Sequence, residues 1–265
     1  MADIPSIAKA DLIEGMAKGL AVLESFDTER QRLNATLAAQ RTGLSRAAAR
    51  RHLLTLAHLG YLETDGSYFC LSPRVLRFSG SYLSSARLPR VLQPTLNRLA
   101  GTTRASFSAV VLDADEVVIV ANSGQGFDGA PGAATRLLAY GLHLGARLPA
   151  HATSTGRVLL ANLPAPERTA WLKGRTLPRL TAHTTTSLKD LRRVLDQVRA
   201  DDCCLASEEH EPGVHAVAVP VRNMQGRVLA ALNVVLPGAC AEPAHTLAQW
   251  LGHLQQAARE LRPLL

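Results

Sequence analysis

The chain has 265 residues, of which 47% are hydrophobic and 19% charged, and a formal net charge of +7. This composition excludes a mainly disordered chain and leaves room for two domains. No apolar run reaches the ~18 residues of a membrane helix, since residues 228–241 are uncharged but interrupted by Pro237. The start, MADIPSIAKADLIEG, carries carboxylates early and lacks the apolar core of a secretory signal. Cys203 and Cys204 are adjacent, and Cys70 and Cys240 stand alone, so the four cysteines make no disulfide framework. The expectation is a reduced, cytoplasmic protein without membrane contact.

Residues 12–26 place Leu12, Met16, Leu20 and Leu23 at helical spacing, which predicts an opening amphipathic helix. Asn34 suits the N-cap of a short helix ending near Arg41, and Gly43 in the TGL turn can take the left-handed conformation that stops it. Ser45 caps the next helix, roughly 46–59. Its inward side is Ala49, Leu53, Leu56 and Ala57, and its outward side is Ala47, Arg51 and Thr55, flanked by Arg46 and Arg50. After Gly60, YLETDGSYFCL reads as two short strands around an Asp65-Gly66 turn. Between residues 30 and 77 there are eight arginines and two acids, nearly the whole positive excess. Charge alone fits a solvated face as well as a nucleic-acid surface. The helix, turn, helix and hairpin around it favour the second. A second helix in the major groove brings its N-terminal residues to base edges and its arginines to phosphates. The predicted partner is double-stranded DNA, contacted by Ser45, Arg46, Ala47, Arg50, Arg51 and Thr55.

Residues 74–88 follow as a linker helix. Pro73 suits its first turn, and Val75, Leu76, Phe78, Tyr82 and Leu83 form an apolar side that packs on a partner chain or within its own domain. Pro89 breaks or kinks it, and a second helix runs to about Ala100. Beyond lies an α+β domain. Residues 106–124 read as strand, turn and strand, a helix opens near Ser154, SLKDLRRVLDQVRADD is an amphipathic helix, residues 214–236 form a long hairpin around Asn223–Gly226, and a helix closes the chain from Pro243. The domain division is therefore 1–73, a winged helix-turn-helix; 74–88, the linker; and 89–265, a ligand-holding domain.

Several groups in that domain bear on chemistry. Gly124, Gly126 and Gly129 match a dinucleotide-binding GxGxxG, but no clean helix follows and no acid occurs between Asp128 and Glu167 to hold a ribose, so the match reads as chance. The same acid-free interval holds Arg136, Arg147, Arg157, His143 and His151 and ends at Ser154-Thr155-Gly156, a helix start. Free N–H groups there favour an anion, with ordinary capping as the equal alternative. Asn233 interrupts an apolar strand and either meets a ligand or bonds backbone. Glu208, Glu209, His210 and His215 lack metal-ligand spacing and read as a solvated loop. Without a GxSxG elbow, a phosphate-binding loop or a metal motif, neither catalysis nor a cofactor is expected.

TGLSRAAARRHLLTLAHLGYLE, RLPAHATSTGRVLLANLP and ASEEHEPGVHAVAVPVRNMQGRVLAALNVV together resemble the IclR family of bacterial transcriptional regulators, in order and over about residues 12 to 262. EGMAKGLAVLESFD and SYLSSARLP look like the Pob/Pca-type branch, which controls hydroxybenzoate and β-ketoadipate pathway genes. The resemblance implies a GAF-like effector domain and a homodimer or dimer of dimers. It carries the effector pocket onto Ser154, Thr155, Ala206, Val214, Ala216, Asn233 and Val235. Gly156, Arg136 and Arg147 join them from the anion argument above. Ala206 stands where an Asp is common in the family, and Asn233 and Val235 where small hydroxyl residues are found. That difference points to an aromatic carboxylate such as 4-hydroxybenzoate or protocatechuate. The alternatives are an enzyme acting on such an acid and a regulator answering to a non-aromatic organic acid.

Overall fold

A computed structural model describes residues 7–27, 30–123, 143–237 and 243–265. They divide into two compact units, Ala2–Ser85 and Ala86–Leu265. Among the described residues, no helix is long and apolar enough to cross a membrane.

The first unit holds α1 (Glu14–Glu24), α2 (Ala35–Thr42), α3 (Arg46–His58), β1 (Leu62–Thr64), β2 (Phe69–Leu71) and α4 (Leu76–Ser85). Its termini are set locally. The Asn34 side chain accepts from the Thr36 and Leu37 amides, Gly43 closes α2 at φ 70°, and Ser45 Oγ accepts from the Ala48 amide. β1 and β2 pair antiparallel, and Leu33 bridges to Phe69 as a third short rung. The core is Val22, Phe26, Leu33, Ala38, Ala49, Leu53, Leu62 and Phe69. Of the apolar side predicted for α1, Leu23 packs against this core, but Leu12, Met16 and Leu20 do not. Val22 is fully buried, whereas Leu12, Ile13, Met16 and Leu20 are exposed.

The second unit opens with α5 (Arg87–Thr103). The helical break comes at Ala86, which is extended, and Pro89 sits inside the first turn of α5, where its missing N–H costs no bond. Pro89 is therefore not the breaker that the sequence suggested. Six antiparallel strands follow: β3 (Ser106–Asp113), β4 (Glu116–Asn122), β5 (Arg147–Pro149), β6 (Cys204–Ser207), β7 (Val214–Arg222) and β8 (Val228–Pro237), ordered β5-β4-β3-β8-β7-β6. α6 (Ser154–Ala161), α7 (Ala165–Leu172), α8 (Leu188–Asp201) and α9 (Pro243–Leu261) complete the unit.

Helices cover both sheet faces, so its strands read as nearly continuous apolar runs. Phe107, Ala109, Val217, Val219, Leu232 and Val234 point toward Leu92, Leu96, Leu254 and Leu261 of α5 and α9. Val110, Val117, Ile119, Ala218 and Ala231 point toward Val158, Leu160, Leu191 and Leu195 of α6 and α8. Strand alternation continues this second face to Val214, Ala216, Asn233 and Val235 at the far end of β7 and β8, where the helices no longer cover it.

Candidate effector cavity and DNA-reading surface

In the first unit, Ser45, Arg46, Ala47, Arg50, Arg51 and Thr55 are all exposed, with Ala49 and Leu53 buried beneath them. Among the described residues, Arg46, Arg50 and Arg51 form no ion pair. Thr55 Oγ1 is bonded to the Arg51 carbonyl, 2.8 Å away, along the helix. Other members of the arginine group have partners. Arg32 pairs with Asp65 and lies 5.2 Å over the Tyr68 ring, and Arg41 pairs with Asp27. The cationic surface left on α3 is thus its outer face and N-terminal turn. The Asp65 carboxylate closes the hairpin by accepting from the Ser67 and Tyr68 amides at 3.0 and 2.8 Å, and these bonds hold its pKa below the usual carboxylate range.

In the second unit, a cavity with about 570 Å³ of atom-free space, part of it open to solvent, lies over the uncovered end of the sheet. Ser154, Thr155, Ala206, Val214, Ala216, Asn233 and Val235 all line it, together with Ser108, Val110, Ile119, Leu148 and the 209–211 segment. Half of the lining residues are aliphatic and half carry polar groups, the mixed lining of a small-molecule site.

Those polar groups are specific. Thr153, not Ser154, caps α6: its Oγ1 accepts from the Gly156 amide at 3.2 Å. Ser154 is 1% exposed, and its Oγ has no hydrogen-bond partner among the described residues. The capping is thus done one residue before Ser154 and leaves the Ser154 hydroxyl without a bond among the described residues. Gly156 does not line the cavity. It lets the helix start approach residue 150, since a Cβ on Gly156 would stand 2.2 Å from the Ala150 carbonyl oxygen. Asn233 is bonded to a side chain rather than to backbone: Ser108 Oγ donates to its Oδ1 at 2.5 Å, leaving the amide N–H₂ to donate elsewhere.

Two of the arginines are not cavity groups. Arg147 is half-exposed and paired with Asp113 and Glu116 at 2.7 and 2.6 Å. Arg157 is buried within α6, bound through both terminal nitrogens to Glu209 and through Nε to the His151 carbonyl at 2.8 Å. Arg136 and the GxGxxG glycines lie outside the described residues.

The 208–211 segment is not a solvated loop, correcting the sequence reading. Glu209 accepts from Arg157 and from the Thr185 amide and hydroxyl, each of the latter at 3.0 Å. His210 and Glu211 line the cavity, and His215 is 4% exposed on the opposite sheet face. Burial, with the nearby Arg157 charge, holds His151 below the ordinary imidazole range. Burial and His151 do the same for His210, and burial raises Glu211.

The IclR helix-turn-helix domain matches residues 15–66, and the C-terminal domain of the bacterial transcriptional regulator IclR matches residues 80–262. The chain belongs to the IclR family. A p-hydroxybenzoate hydroxylase transcriptional activator of Acinetobacter baylyi is 51% identical over 98% of this chain and 94% of its own length. A Pca operon regulatory protein of the same bacterium is 49% identical over 98% and 91%. The structure of an IclR homologue from Microbacterium hydrocarbonoxydans complexed with 4-hydroxybenzoate is similar at a TM-score of 0.70 and 27% identity, covering 94% of this chain and 97% of that one.

In this IclR-family regulator, reading the sequence missed β5, β6 and α7. It also missed Glu209 as the anchor of Arg157, and the place of His210 at the cavity. Apolar residues flanking the polar EEHE run were the available signal for partial burial of that loop.

Proposed function

We propose that this protein is a transcription factor that binds operator DNA through residues 1–73 and an aromatic carboxylate, of the hydroxybenzoate type, through residues 89–265, with 74–88 as the link. The observation that carries the effector half is the buried, unpartnered Ser154 hydroxyl at the start of α6, in a cavity whose aliphatic lining includes Val110, Ile119, Ala216 and Val235. Hydroxyl and free helix-start amides suit a carboxylate, while aliphatic side chains suit a ring. Asn233 adds a donor. The Arg157 charge is neutralised by Glu209, so it is the hydroxyl and amides, and not that guanidinium, that receive the anion. The likeness to a p-hydroxybenzoate hydroxylase activator and to a 4-hydroxybenzoate complex favours the same ligand class.

The DNA half rests on the exposed, unpaired Arg46, Arg50 and Arg51 of α3. The protein works in the cytoplasm as a dimer or dimer of dimers, supported by the exposed apolar residues of α1 and of α4 (Leu76, Phe78, Tyr82). It carries out no chemical conversion. The effector shifts the balance between arrangements of two DNA-binding heads, which requires different affinities for those arrangements.

Calorimetry of the full chain against benzoate, 4-hydroxybenzoate, protocatechuate, pyruvate and glyoxylate tests the effector class. Binding of the aromatic acids with the two keto acids silent is expected. The reverse order overturns the reading, and so does turnover of a bound acid.

A further inference from the structure

Among the cavity's polar groups, two sets bear on how an aromatic acid is held. Ser154, the α6 amides and Asn233 are donors and suit the carboxylate. The other set lies on the loop from β6 to β7. There His210 lines the cavity, and its Nδ1 is fully buried without a hydrogen-bond partner among the described residues. Burial and the neighbouring His151 favour a neutral ring, and a neutral imidazole has one nitrogen to accept and one to donate.

The loop that carries His210 is tied down. Glu208 takes a left-handed φ of 55°, donates its amide to the Val214 carbonyl at 2.8 Å and accepts from the Gly213 amide at 3.1 Å. Glu209 is fixed by Arg157, and its carbonyl accepts from Thr184 Oγ1 at 2.7 Å. A loop held this firmly around one unsatisfied nitrogen is preorganised for a ligand group that supplies the missing bond.

We propose that His210 reads the ring hydroxyl of the bound acid, its Nδ1 taking the hydroxyl's hydrogen bond and so separating hydroxybenzoates from plain benzoate. This rests on the aromatic-acid reading above. Without the hydroxyl, Nδ1 stays buried and unpaired, so benzoate forgoes the hydrogen bond that a hydroxybenzoate gains.

The test is calorimetry of the full chain with 4-hydroxybenzoate and benzoate, comparing wild type, His210→Phe and His210→Asn. Wild type is expected to prefer 4-hydroxybenzoate by about tenfold, the worth of one good hydrogen bond. In His210→Phe that preference falls to about twofold or less, through loss of 4-hydroxybenzoate affinity with benzoate little changed. His210→Asn, whose side-chain oxygen sits near the Nδ1 position, restores most of it. If the Phe variant does not fold, His210→Ala carries the same comparison. A preference that survives in His210→Phe or His210→Ala overturns the role of His210 and leaves the aromatic-acid reading standing. Wild type that binds neither acid overturns both.

Discussion

Replacing Glu209 with alanine removes the carboxylate that faces Arg157, and the structure sets the cost. The Arg157 side chain is 3% exposed and that of Glu209 13%. Arg157 would keep only its bonds to the His151 carbonyl and, at 3.1 Å, to Thr185 Oγ1, leaving a buried cation with two nitrogens short of acceptors. Breaking one side of a buried pair typically costs ~3–5 kcal/mol. Glu209 lies on the cavity wall, where water can partly fill its place, so the lower end, about 3 kcal/mol, is expected.

Converting both residues, Arg157→Met with Glu209→Leu, removes the stranded charge and is expected to recover all but about 1 kcal/mol, the remainder being the Thr185 bonds. Urea unfolding of the full chain, followed by tryptophan fluorescence, reads this directly because Trp171 and Trp250 are the only tryptophans and both belong to the second unit. A Glu209→Ala loss below about 1 kcal/mol, or a double variant as unstable as the sum of the singles, would refute the reasoning.

Three further outcomes are expected. Arg51→Ala weakens DNA binding for all sequences alike and lowers the salt slope by about one, measured by fluorescence anisotropy between 50 and 200 mM salt; an unchanged slope removes Arg51 from the phosphate contacts. Asn233→Leu takes the acceptor from Ser108 and a donor from the cavity, so the effector response is lost while operator binding persists; a normal response at ordinary effector concentration means Asn233 is not a ligand contact. Gly156→Ala gains about 1 kcal/mol in helix propensity, but its Cβ would lie 2.2–2.4 Å from residue 150 backbone atoms, and the forced shift costs more than it gains. A net loss of about 1–2 kcal/mol in urea unfolding is expected, and a stabilised variant would show that the helix start yields freely.

Much of the fold was legible because its signals are local. Asn34, Ser45 and Ser187 mark helix starts within three residues of the amides they cap, Gly43 ends α2 through its left-handed φ, and the Asp65-Gly66 turn announces the hairpin. Locality also placed the start of α6 at Ser154, but it could not say whether Thr153 or Ser154 does the capping, which only the backbone decides. Long-range pairing was invisible. Arg157 and Glu209 are 52 residues apart, so nothing in the sequence showed that a candidate anion-binding arginine is already neutralised. β5 and β6 have three and four residues, too few for a period-two pattern to stand out. α1 itself was legible, but its buried side only in part: helical spacing identifies an apolar side, while what covers it depends on neighbours, and here Leu23 packs on the core while Met16 and Leu20 do not. Most of the cavity residues came from family resemblance, whereas Arg136 and Arg147 came from charge alone; Arg136 lies outside the described residues, and Arg147 is held in ion pairs with Asp113 and Glu116 away from the cavity.

The most direct test of a DNA-bound regulator governed by an aromatic acid is transcription in vitro, using purified protein, RNA polymerase and the intergenic region beside its own gene, across a titration of 4-hydroxybenzoate. Transcript yield that changes with the acid, with a midpoint matching the calorimetric Kd, is the predicted result. Yield that is unaffected by the acid at concentrations saturating the cavity would contradict it.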